Sequence, residues 1–275
     1  MRNIIIRSAL MVLLVVAMVG SIRAVEANDR PVYDPELHVA FVGTKADADC
    51  VVVWRKDFAM MIDVGGAKDQ TEILDFLSAQ KISRLNYLVL LNPDRQELQS
   101  AAAIADVVET ASLVLPLYQA ETVMDRPLQA RLGHDRTRVI VLVRSLDVSV
   151  NDVTINILPP ASGSYEDPRD YSLAAIVRHQ DVQMLFLGSA GDVRLLELVK
   201  RSWGQIDLYE LPRHGQYTEV SRQFLQRLRP AVTVVTSTAA DARMTDAGDA
   251  LGTKWYYSVG DTVAFVSDGS TLQAV

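Results

Sequence analysis

The chain has one cysteine, Cys50, and four histidines, His38, His134, His179 and His214, among its 275 residues. A single cysteine leaves no internal disulfide. Cys50 lies too far beyond the N-terminal apolar run to be a lipoprotein cysteine, and its place in an alternating segment marks it as a core residue. No Gly-x-Ser-x-Gly elbow occurs, so a serine hydrolase has no support. A Walker loop and a dinucleotide fingerprint are missing too. Positive charge is also short: 27 Lys and Arg stand against 34 Asp and Glu, a net charge of −7. That balance disfavours a dedicated nucleic-acid binder, which needs a basic surface to neutralise phosphates. Arg222, Arg227 and Arg229 form a local basic cluster, readable as a solvated helix face or as a phosphate contact.

Hydrophobic residues make up 49 % of the chain and charged residues 22 %, enough apolar side chain for a sizeable core. The N-terminus has the form of a targeting segment. Arg2 and Arg7 precede the uncharged run Ser8 to Ile22, and Val25 and Ala27 occupy the −3 and −1 places of a signal-peptidase site. The run is 15 residues long, short of the ~20 of a comfortable membrane span. Residues 1–27 therefore read as a signal peptide or a signal anchor, with membrane contact only through residues 8–22 if uncleaved. Cleavage would remove three arginines and one glutamate and move the net charge to −9. An extracytoplasmic protein of a bacterial envelope is expected, with an unidentified envelope or extracellular partner.

Residues 28–36 carry Pro31 and Pro35 and read as a linker, and residues 37–275 as one domain. The pattern predicts strands over Leu37–Val42, Cys50–Trp54 and Phe58–Ile62, then an amphipathic helix over Gln70–Gln80 with Ile73, Leu74 and Leu77 inward. A buried strand, Tyr87–Leu91, follows. It breaks into the polar turn Asn92 to Glu97 before an apolar helix, expected from about Ala101 to Glu109 with Ile104, Val107 and Val108 inward. Strand ends that hand polar side chains to a loop are where α/β folds place chemistry. Further on, strands are expected at Ser112–Leu117, Val139–Val143, Asp147–Val150 and Val153–Leu158, with a helix at Glu121–Leu132. A hairpin of Ser172–Arg178 and Gln183–Leu187 follows, then helices at Val193–Lys200, Ser221–Leu228 and Asp246–Gly252. Strands at Ile206–Leu211, Ala231–Thr236, Trp255–Ser258 and Asp261–Ser267 complete the pattern. Two strand-rich halves with attached helices predict two sheets packed face to face with helices outside.

Several of these stretches, in order, resemble the metallo-β-lactamase fold. The similarity is greatest to the extracellular hydrolase domain of bacterial competence DNA-uptake proteins. The strand ending in Asp63-Val64-Gly65-Gly66 matches the family's Asp-Gly-Gly turn. Tyr87-Leu88-Val89-Leu90 feeding Asn92 to Glu97 stands where the family has a strand feeding His-x-His-x-Asp-His. Asp170-Tyr171-Ser172-Leu173 meets an Asn-Ser-Leu-Val hairpin, and Gly188 to Asp192 meets a Thr-Gly-Asp turn. Pro212-Arg213-His214-Gly215 meets a strand ending in His-His-Gly. Gly252 to Tyr256 and Gly260 to Phe265 match the closing strands. The resemblance runs from Leu37 to the C-terminus and implies a four-layer αββα sandwich of two mixed β-sheets.

In active relatives that turn supplies most ligands of one or two divalent metals. Carried over by position, the three histidines fall on Asn92, Asp94 and Glu97, and the aspartate on Gln96. The bridging aspartate falls on Ala190, or on Asp192 if two residues are inserted, and the late histidine pair on Arg213 and His214. Only His214 keeps a ligand type, so zinc, which needs three or four nitrogen or sulfur ligands, is not expected. Asp63, Asn92, Asp94, Glu97 and Asp192 form an oxygen-rich set that a hard divalent cation could use instead. The plainer reading makes Asp94, Arg95 and Glu97 a solvated turn and helix start, and Asp63 a turn carboxylate with positive φ at Gly65 and Gly66. His214 reads as an anion contact beside Arg213, as a leftover catalytic group, or as a turn histidine bonded to backbone. The expectation is a pseudo-hydrolase with vestigial site positions Asp63, Asn92, Asp94, Gln96, Glu97, Asp192, Arg213 and His214. The alternatives are an active phosphodiesterase- or nuclease-like hydrolase and a polyanion- or DNA-binding module.

Overall fold

Largely apolar runs of five residues bury both faces of a strand, and the first three elements are such runs, interrupted only by His38 and Arg55. The computed structural model describes residues 35–117 and 137–275. β1 (Leu37–Phe41), β2 (Val51–Arg55) and β3 (Phe58–Ile62) form an antiparallel meander, with Val39 opposite Val53 and Val53 opposite Met60. The sheet then grows by parallel addition. Helix α1 (Gln70–Ala79) leads through the two-residue β4 (Arg84–Leu85) to β5 (Tyr87–Val89). Helix α2 (Arg95–Ala105) leads through β6 (Glu109–Thr110) to β7 (Ser112–Pro116), and β8 (Arg138–Leu142) lies parallel beyond it.

The second sheet begins with β9 (Leu146–Val150), β10 (Val153–Leu158), β11 (Ala174–His179) and β12 (Val182–Phe186), all antiparallel. It continues in parallel through α3 (Asp192–Val199), β13 (Leu208–Glu210), α4 (Glu219–Leu228), β14 (Val232–Val235), α5 (Ala242–Asp249) and β15 (Lys254–Tyr257). The chain then returns to the first sheet as β16 (Val263–Ser267) against β1 and β17 (Leu272–Ala274) against β16. The two strand orders are β17-β16-β1-β2-β3-β5-β7-β8 and β15-β14-β13-β12-β11-β10-β9.

One apolar layer joins the sheets. Val39, Phe41, Val53, Met60 and Ile62 of the first meet Ile155, Ile157, Val177, Met184 and Phe186 of the second. Alternate residues of the same strands face outward. Val52, Met61 and Leu88 pack under α1 and α2, while Leu185, Tyr209 and Val235 pack under α3, α4 and α5. The expected four-layer order of helix, sheet, sheet and helix is found. Each fully buried Leu, Val or Phe side chain contributes about 1.5–3 kcal/mol through burial.

Several expected boundaries are corrected. Helix α2 starts at Arg95, six residues before Ala101, because Asp94 caps it. It ends at Ala105, so Val107 lies beyond its inward face and is 68 % exposed. β5 ends at Val89 because the Leu91 N–H is taken by the Asp63 carboxylate rather than by a neighbouring strand. α5 begins at Ala242, with the Asp241 side chain accepting from the Arg243 N–H. β17 adds a closing strand beyond Ser267. Positive φ falls on Asp63 and Gly65 but not on Gly66. The targeting segment, most of the linker, the helix expected at Glu121–Leu132 and His134 lie outside the described residues. Among the described residues no helix is long and apolar enough to cross a membrane.

β3 and β12 run toward one end of the sandwich, and β2 and β11 run toward the other. At that second end a polar pin crosses between the sheets. His179 lies 3.0 Å from Ser267 Oγ and 3.2 Å from Asp152 Oδ2. Arg55 Nη1 donates to Asp152 Oδ1 at 2.8 Å. Arg55, His179 and Ser267 are buried. Removing one partner of a buried pair leaves the other charge uncompensated. Asp152→Ala is therefore expected to destabilise the fold by about 3 kcal/mol in urea unfolding. A loss below about 0.5 kcal/mol, the level of an ordinary surface change, would show that the pin carries no weight.

Candidate functional site

At the first end of the sandwich the loops after β3, β5, β12 and β13 converge on a cleft of about 610 Å³. Its wall includes Asp47, Asp49, Asn92, Asp94, Gln96, Glu97, Arg169, Ser189 and His214. Five of the eight site positions drawn from the sequence, Asn92, Asp94, Gln96, Glu97 and His214, thus share one wall. Asp63 is buried, and its Oδ1 accepts from the Leu91 N–H at 2.8 Å. A Cβ on Gly188 would stand 3.1 Å from Asp63 Oδ2, and Gly188 has φ +50°, so glycine is needed there.

Asp192 and Arg213 do not join this wall. They line a neighbouring depression, where Asp192 accepts from Thr218 Oγ1 at 2.7 Å and lies 3.6 Å from Arg213 Nη1. The proposed oxygen-rich set around Asp63, Asn92, Asp94, Glu97 and Asp192 is therefore divided between two depressions and the layer beneath. Arg213 and His214 also part company. Both have left-handed φ, +56° and +53°, and their side chains engage different carboxylates. Ala190, the other position considered for a bridging aspartate, is a buried core residue.

Asp94 and Glu97 serve the helix. Asp94 Oδ1 accepts from the Glu97 N–H at 2.8 Å, and Glu97 Oε2 accepts from the Asp94 N–H at 2.7 Å. This reciprocal capping box satisfies two otherwise orphaned donors at the start of α2. Burial, with the charges of Asp94 and Asp49, pushes the Glu97 carboxyl up to about 7.

His214 is bonded to side chains rather than to backbone. Its Nδ1 lies 2.9 Å from Thr236 Oγ1 and 3.3 Å from Asp49 Oδ1. Thr236 in turn donates to Asp49 Oδ1 at 2.5 Å. Burial opposes a charge on the imidazole, but the Asp49 contact, with Asp47 and Glu210 adding to it, outweighs burial and raises its pKa to about 9. With Nδ1 carrying a proton toward Thr236 and Asp49, Nε2 has no hydrogen bond among the described residues, and the residue lines the cleft.

Three residues with a part in this centre escaped the sequence reading. Asp49 and Thr236 hold His214, and neither carries a local pattern that announces it. Glu210 is fully buried, and its Oε2 accepts from the Leu187 and Gly188 N–H groups, each at 2.8 Å. Burial, then Asp49, raises its pKa. A carboxylate between Tyr209 and Leu211 in an apolar strand was a signal available in the sequence.

The metal implied by the resemblance does not fit these donors. Among the described residues no three His, Cys, Asp or Glu side chains converge to hold a metal ion. Asp94 and Glu97 are turned into the capping box, and His214 Nδ1 into the Asp49–Thr236 pair. His38 stacks on Trp54, with ring centroids 5.1 Å apart, and His179 belongs to the pin at the opposite end. Arg222 of the basic cluster is bound by Glu219, with Nε 3.0 Å from Oε2.

Glu97 and His214 of the cleft wall have pKa values raised by folding, so each favours the fold below its unfolded value and loses that contribution as pH rises. For Glu97 the window is about 4.5 to 7, and for His214 about 6.5 to 9. The melting temperature is expected to fall from pH 5 to pH 9.5, with the His214 share about 3 kcal/mol. His214→Gln should flatten the upper half of the profile and Glu97→Gln the lower half. A profile that rises with pH, or is unchanged by either substitution, would contradict this assignment.

No family model and no curated protein matches the sequence. Solved structures resemble the fold. YhfI of Bacillus subtilis, a metallo-β-lactamase fold protein, matches with a TM-score of 0.56 at 9 % identity over 83 % of this chain and 99 % of its own. Zn²⁺-bound PqqB of Methylobacterium extorquens matches at 0.57 and 9 %, over 82 % and 99 %. CmlA of Streptomyces venezuelae, a diiron β-hydroxylase, matches at 0.54 and 12 %, over 90 % of this chain and 55 % of its own. At such identities the likeness carries the fold alone, because unrelated chemistries share folds. The chain is a protein of the metallo-β-lactamase fold.

Proposed function

We propose that this chain is an exported pseudo-hydrolase, allied to the hydrolase domain of competence DNA-uptake proteins. On this reading it has given up metal-dependent hydrolysis and uses its cleft for binding, scaffolding or regulation. One observation carries the reading: Asp94 and Glu97, at two positions where relatives hold metal, are spent on capping α2. The His214–Asp49 contact supports it, because it holds the imidazole pKa up at about 9, so that at neutral pH His214 itself supplies positive charge at the centre. A polyanion-binding role is disfavoured by Asp47, Asp49, Asp94 and Glu97 along one wall.

Metal analysis of dialysed protein is the direct test. Below about 0.1 transition-metal ion per chain is expected, with no change in melting temperature on chelation. Asp94→Ala should cost about 1 kcal/mol of stability through the lost cap. A stoichiometric transition metal that survives dialysis would overturn the proposal. So would phosphodiesterase activity abolished both by chelator and by Asp94→Ala.

A further inference from the structure

The first sheet ends at β8, which has one strand neighbour, β7, among the described residues. Among the described residues its outer edge has no ladder for its backbone N–H and C=O groups. Natural edge strands are usually blunted by a charge, a proline or a bulge within the strand. β8 has its one charge at its first residue, Arg138, and residues 139–143 read Val-Ile-Val-Leu-Val, with no charge and no proline. Leu142 and Ile140 face the layer between the sheets. Val139 and Val141 alternate with them and are 39 % and 37 % exposed, and Val143, just past the strand, is 68 % exposed. Beside Val143 lies a notch of about 140 Å³, lined by Leu117, Pro159, Pro160 and Tyr171 among others. Arg138 and Arg144 bracket the apolar run.

We propose that β8 receives an extended segment of another protein as a further strand. The segment has apolar residues at alternate positions and a carboxylate at each end, and one apolar side chain sits in the notch. Strand addition draws its affinity from main-chain hydrogen bonds and its specificity from alternate side chains. Six residue steps separate the two arginines, at most about 20 Å with the chain extended past Leu142, which bounds the spacing of the two carboxylates. The same arginines argue against a second copy of this chain. Antiparallel pairing of β8 with its copy about Val141 puts Arg138 opposite Arg144 twice, and like charges directly opposite are destabilising.

The probe is a fluorescein-labelled peptide, Glu-Val-Thr-Val-Thr-Val-Glu, titrated against the full chain and followed by anisotropy. Its twin carries lysine at both ends. Saturable binding of the glutamate peptide is expected, with the lysine twin at least about tenfold weaker. Val141→Lys, at an exposed site, should weaken the glutamate peptide about tenfold. The double variant Arg138→Glu and Arg144→Glu should reverse the preference between the peptides. No saturable binding up to about 1 mM, or equal binding of both peptides, would overturn the proposal. A dimer in sedimentation velocity that Val141→Lys dissociates would assign the edge to a second copy instead. Strong hydrogen-exchange protection of residues 138–143 in the free monomer, unchanged by peptide, would assign it to the chain itself. Either result also overturns the proposal. Because none of these readouts involves the cleft, the outcome is independent of the pseudo-hydrolase reading.

Discussion

Everything else in the molecule hangs on the apolar layer that the two sheets share. Val39, Phe41 and Met60 on one side and Ile155, Val177 and Phe186 on the other must all leave water together. That requirement fixes which strand ends come to the same end of the sandwich. It brings the loops after β3, β5, β12 and β13 to one cleft, and it sets Arg55, Asp152, His179 and Ser267 at the other end. The polar groups at both ends are consequences of that packing, and each end has had to solve its own electrostatic problem.

At the cleft the problem is too many carboxylates. Asp63 and Glu210 are buried, Glu97 is raised to about 7, and Asp49 is buried beside them. In water such groups repel weakly, whereas in a protein interior each charge needs a partner or a proton. Asp63 is held by the Leu91 N–H and Glu210 by two N–H groups, while Asp49 has Thr236 and the imidazole of His214. The backbone strain at Arg213 and His214 fits this role. Two successive left-handed residues turn neighbouring side chains in different directions, so one faces Asp192 and the other Asp49.

Much of the fold could be read directly, for a physical reason. Phe58–Ile62 and Val153–Leu158 are apolar or alternating runs bounded by turn residues, and both appear with the expected ends. The start of α2 is hidden in the sequence because Asn92-Pro93 looks like a turn and the first turn of the helix is polar. The Asp94-x-x-Glu97 pattern was nevertheless a visible capping signature. The short, polar β17 has no periodicity to show. In the site, Asn92, Asp94, Gln96, Glu97 and His214 were found through the order of their segments. Asp49 and Thr236 were not, because their role exists only once residues 187 positions apart in the chain meet.

The capping box at the start of α2 also limits what substitution can do there. A histidine at position 94 or 97 would break a reciprocal pair on which the helix start rests. Each such step costs about 1 kcal/mol before any metal can bind, because one new ligand alone holds no ion. Intermediates between this cleft and a metal-loaded one are therefore less stable than either endpoint. Positions 94 and 97 can therefore serve a helix cap or a pair of metal ligands, but not half of each, and the same barrier stands in both directions.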